Sequence, residues 1–110
     1  MAAARDMSLL ALAERAASAN GATFDNERGY SGVFYLNVTA CAGGADTLDV
    51  KIQDSPDAST WYDIINFTQA TGATTERKVA TNLGRYLRAV GTNGSGATAT
   101  YSVLAHTNEA

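Results

Sequence analysis

One cysteine, one proline, one tryptophan and one histidine are all that the 110 residues contain of those four types. Each scarcity excludes something. Cys41 has no second cysteine to pair with, so a small domain stapled by internal disulfides is ruled out. The redox compartment stays open, with synthesis in a reducing cytosol the simplest expectation. His106 is the sole histidine, and no Cys or His spacing of a metal centre exists. Eight basic residues face eleven acidic ones, for a net charge of −3. The basic residues are scattered, with Arg77-Lys78 the only adjacent pair, whereas a nucleic-acid footprint needs clustered Lys and Arg. No apolar run approaches the ~18 residues of a membrane helix. "MSLLALA" reaches the lower limit of a signal-peptide core. However, Asp6 precedes it, and Glu14-Arg15 interrupt it before any clean cleavage site. The segment is therefore expected to stay in the mature chain, and neither nucleic acid nor a membrane is expected as a partner. Catalytic signatures are missing too: there is no G-x-S-x-G, and the glycine-rich "GTNGSG" lacks the lysine and helix of a phosphate loop. No catalytic residue, metal or cofactor is expected.

What is present reads as one globular domain, long enough to bury a single core. Residues Met7 to Asn20 are rich in Ala and Leu. Asp6 or Ser8 would cap a helix there, Asn20-Gly21 would end it, and Leu9, Leu12 and Ala16 would share a stripe. A helix this short is marginal in water without packing. The segment reads either as a short helix or as an arm that orders on a neighbour, and residues 1–28 are set apart on that ground.

From Gly29 onward the period is two. "VFYLNVTA" begins as an apolar run, the mark of a strand buried on both faces. In "LDVKIQ", Leu48, Val50 and Ile52 alternate with Asp49, Lys51 and Gln53. Strands follow in "WYDII", "ERKVAT", "RYLRAV" and "ATATYSVLA", separated by turn residues. Tyr62 and Ile64 are expected to join Leu48, Val50 and Ile52 in one core. Several short strands with regular turn signals predict an all-β fold, an antiparallel β-sandwich or barrel over residues 29–110.

Few side chains stand out as candidate sites. Asp54 and Asp57 flank Pro56, and the spacing suits a turn whose aspartates bond their own backbone. Calcium would need about six oxygen ligands, and the EF-hand spacing is absent. Trp61 and Tyr62 point to opposite faces: Trp61 is a core tryptophan of the sandwich or, if outward, would stack on a sugar or enter a subunit interface. Cys41 and His106 make a nucleophile pair only if the fold joins them. Tyr86 and Arg88 share one strand face. With Trp61 they exceed what one small core uses, so all three are read as an oligomer interface.

"MSLLALAERAASANG", "VFYLNVTA", "TLDVKIQDSPDASTW", "LGRYLRAV" and "GTNGSGATATYSV", in that order, resemble a family of small structural proteins of tailed phages and prophages. The resemblance covers most of the chain. It implies a non-enzymatic virion part, most simply a capsid decoration (cement) protein that binds the outside of the major capsid protein shell and stabilises it. A tail, neck or baseplate component and a carbohydrate-binding module are the alternatives. The resemblance further implies assembly in the host cytoplasm, a place on the capsid exterior and a homotrimer. Met7, Leu9, Leu10 and Leu12 of the arm would then bind the shell subunit.

Overall fold

The computed structural model describes residues 4–26, 29–44 and 46–109, and every regular element among them is a β-strand. The strands are β1 (Ala4–Arg15), β2 (Ala19–Asn20), β3 (Phe24–Asp25), β4 (Gly29–Ala42), β5 (Leu48–Ser55), β6 (Tyr62–Asn66), β7 (Thr74–Thr81), β8 (Tyr86–Asn93) and β9 (Thr98–Glu109). Sheet A runs β1-β9-β4-β7. Sheet B runs β2-β8-β5-β6, with β3 also paired to β8. All pairings are antiparallel. The chain is thus the antiparallel β-sandwich its alternation predicts.

The pairing follows a nested pattern. β1 pairs with β9, the short β2 and β3 with β8, β4 with β7, and β5 with β6. Counting β2 and β3 as one interrupted strand, this is a long hairpin rolled over on itself, the jelly-roll wind.

The core lies between the sheets. Phe34, Leu36 and Val38 of β4 meet Leu48, Val50 and Ile52 of β5 and Leu87 and Ala89 of β8. Tyr101 of β9 is fully buried and reaches across toward Gly91 of β8, where an added Cβ would fall on its hydroxyl. Small residues on β8 therefore make room for a large one on β9.

The N-terminal segment departs most from expectation. It is neither helix nor arm: β1 is an edge strand of sheet A, paired with β9 from Ala4↔Asn108 to Arg15↔Ala99. Met7, Leu9 and Leu10 are buried in this chain's own core, which removes them as partner-binding residues. The reason is a bulge. Ser8 pairs with Leu104 and Leu10 with Val103, so β1 carries one extra residue there, and two consecutive leucines turn inward. A second shift between Leu10 and Ala13 leaves Leu12 58% exposed. Arg15 fastens the end of the strand by donating to the carbonyls of Ala11 at 2.7 Å and Tyr101 at 3.0 Å. Its guanidinium also lies 4.7 Å from the Tyr101 ring centre.

A second bulge corrects the expected core of β6. Ile52 pairs with Ile65 and Gln53 with Asp63, which leaves Ile64 as the extra residue. Ile65 and Phe67 consequently fill the core, Ile64 is only partly buried, and Tyr62 is 57% exposed.

Candidate functional site

The polar side chains are mostly tied to their own fold. His106 pairs with Val33 on β4, whereas Cys41 pairs with Ala99 near the other end of that strand. At ~3.3 Å per residue they stand about 25 Å apart, so they are no nucleophile pair. Burial, helped by the charge of Asp46, pushes the Cys41 thiol above its ordinary pKa and away from reactivity. Among the described residues no group of three His, Cys, Asp or Glu side chains is placed to hold a metal ion.

Asp54 and Asp57 go separate ways. Asp54 accepts from the Gly84 amide at 2.8 Å, joining β5 to the loop before β8. Asp57 accepts from the amides of Ser59 and Thr60, both at 2.9 Å, and from the Ser55 hydroxyl at 3.0 Å. Ser55 in turn accepts from the Ala58 amide at 2.9 Å. These bonds shape the turn that Pro56 enters, and Ala58 completes it at a positive φ of 62°.

On the outer face of sheet B, Trp61 and Arg88 meet each other. The guanidinium lies 4.2 Å from the Trp61 ring centre. Arg88 Nε donates to Gln53 Oε1 at 2.7 Å, and Gln53 Nε2 donates to Asp63 Oδ1 at 2.7 Å. Lys51 stands 3.4 Å from Asp63. This chain of contacts explains why Gln53, on the face expected to be wet, is buried. It also covers one face of the Trp61 ring. Tyr86 is half-buried beside the Arg85 guanidinium, 5.2 Å away.

Replacing Arg88 with Ala removes the cation over Trp61 and leaves Gln53 Oε1 without its donor. A loss of about 1–3 kcal/mol is expected in urea unfolding. Trp61 emission should shift to the red as the ring meets water.

Asp57 of the turn and Asp63 of this network set an acid limit. Hydrogen bonds from the Thr60 and Ser59 amides hold the Asp57 pKa below the ordinary range, and the Gln53 bond, aided by Lys51, does the same for Asp63. A depressed carboxylate stabilises the fold above its unfolded pKa, and that support is lost as pH falls through the lower folded value. The melting temperature should therefore fall below about pH 4. Asp63→Asn should make that fall shallower.

The outer face of sheet A is different. Pairing across the sheet places Val79, Val33, His106 and Asp6 in one row, and Arg77, Tyr35, Leu104 and Ser8 in the next. Tyr35 is 42% exposed, Leu104 48% and Val79 55%. His106 Nδ1 lies 2.6 Å from Asp6 Oδ1 at the β1 end. Tyr35 and Leu104 stand between two depressions. One, of about 410 Å³, is lined by Asp6, Ser8 and His106. The other, of about 530 Å³, is lined by Asn37, Thr75 and Arg77. The apolar run Val33 to Leu36 signalled this face in the sequence, but read as burial on both sides. Its second side is uncovered.

No protein-family model matches the chain, and a search of curated proteins finds no match either. Among solved structures, one similar chain comes from the work described as "Bacillus endospore appendages form a novel family of disulfide-linked pili". The match has a TM-score of 0.54, covers 100% of this chain and 87% of that one, and has 13% sequence identity. At that identity the two share a fold, and nothing more follows.

Proposed function

We propose that this chain is a non-enzymatic structural subunit of a tailed-phage particle, a decoration protein on the outside of the major capsid shell. The observation that carries the reading is the uncovered apolar face of sheet A, in a domain whose Asp54, Asp57, Gln53, Asp63 and Arg88 side chains hold its own turns and sheets. Enzymes gather such groups into a pocket; a building block presents a surface. The order of strand motifs, which resembles that of phage structural proteins, supplies the virion setting. A net charge of −3 suits the outside of a shell better than its DNA side, where like charges repel.

Attachment is reassigned within this reading. Met7, Leu9 and Leu10 are consumed by the core, so contact with the major capsid protein falls to exposed residues, Leu12 among them. The homotrimer with Trp61, Tyr86 and Arg88 at its contact belongs to the same proposal, though Trp61 and Arg88 already engage each other. The test is a pull-down of the intact chain with capsids lacking it, beside a mass-spectrometric copy count in purified particles. Binding and hundreds of copies support the proposal. About a dozen copies or fewer would make it a tail, neck or baseplate part, and absence from particles would end it.

A further inference from the structure

We infer that the outer face of sheet A is a two-fold contact between two copies of this chain. The inference rests on geometry and does not depend on the virion role.

The sequence of β4 is the starting point. Phe34, Leu36 and Val38 face the core, and Val33 and Tyr35 occupy the other side of the same strand. Strands that are apolar on both sides belong in sheets covered on both sides. Val33 and Tyr35 are joined by Leu104 from β9 and Val79 from β7, so the apolar residues form one patch and are not scattered singly.

The occupant is a second copy because the patch is complementary to itself. Sheet A has four strands, and its midline runs between β9 and β4, between Leu104 and Tyr35. A two-fold axis along that midline lays Leu104 of one copy over Tyr35 of the other. The same rotation brings the β7 edge of each copy over the β1 edge of its partner. Arg77, exposed on β7, then stands one row from Asp6, whose side chain is 88% exposed on β1. Each contact occurs twice, as an isologous interface requires.

Four strands at ~4.8 Å make the face about 19 Å wide, which puts the buried area at the low end of specific interfaces. The dimer is accordingly weak and is sought at high concentration. The experiment is sedimentation velocity on the intact chain from about 10 μM to about 1 mM, the range in which weak interfaces associate. The wild type should shift from monomer to dimer. Tyr35→Glu and Leu104→Glu, each at an exposed position and each checked for folding by circular dichroism, should sediment as monomers throughout. Arg77→Asp and Asp6→Arg should each weaken the dimer at least several-fold, and the double variant should recover it. A wild type that stays monomeric at the highest concentration would overturn the inference. So would a dimer that survives both glutamate variants. If one glutamate variant fails to fold, the other and the charge pair still decide the matter.

Discussion

Deleting residues 1–19 should leave a chain that does not fold. The deletion removes β1 and with it Met7, Leu9 and Leu10, which are at most 7% exposed. Burying a side chain of this kind contributes about 1.5–3 kcal/mol, so three contribute roughly 5–9 kcal/mol. A domain of this size has only about 5–15 kcal/mol of net stability to lose. The damage extends beyond the deleted side chains. β9 would become an edge strand, with its ladder to β1 open to water and its inward residues Tyr101, Val103 and Ala105 uncovered on one flank. Loss of cooperative thermal unfolding, with a strand circular-dichroism signal replaced by that of a disordered chain, is the expected result. An arm that orders only on a neighbour would give the opposite outcome, a domain that folds as well without it.

The second large effect is expected at Gly91. An added Cβ there would fall on Tyr101 Oη and lie 2.8 Å from Tyr101 Cζ, across a core in which Tyr101 is fully buried. Neither partner has room to yield, because Gly91 is paired to Val50 in the sheet and Tyr101 to Val38. Overpacking of this kind costs about 1–3 kcal/mol, and Gly91→Ala should show a loss at the top of that range in urea unfolding. Tyr101→Phe gives the check. The Tyr101 hydroxyl is buried without a hydrogen-bond partner, so its removal should cost little by itself. Because it is also the atom the new methyl would meet first, Tyr101→Phe should recover part of the Gly91→Ala loss. Additive losses in the double variant would mean the two residues do not meet. Burial also raises the Tyr101 pKa, against a smaller opposing effect of Arg15. The unfolded chain ionises first as pH rises, so this residue makes the fold less stable above about pH 10.

The central strands were legible because their alternation is regular. Leu48, Val50 and Ile52 are all buried as their spacing requires, and β8 and β9 begin within a residue of the segments read as strands, β7 two residues earlier. The misreadings share one cause. In β1 two extra residues, and in β6 one, shift the side-chain parity, and a bulge leaves no mark in a sequence. "SLLALA" therefore mimics a helical stripe while it is a bulged strand, and Ile65 takes the core place expected of Ile64. The uncovered face of sheet A was half legible. The Val33–Leu36 run marks its central strand, but whether a neighbouring layer covers that run depends on tertiary arrangement. Trp61 and Arg88 stand out in the sequence, yet their mutual stacking depends on β8 lying beside β5 and on the path from β5 into β6.

Amide hydrogen exchange on the intact chain tests the central claim most directly: the N-terminal strand belongs to the core. Amides of β1 that bond to β9 should exchange as slowly as those joining β4 to β9, because both are released only when the whole sandwich opens. Fast exchange across Met7 to Ala13 with β4 and β9 still protected would contradict the account. The segment would then be a detachable arm, and its leucines would again be candidates for binding a partner.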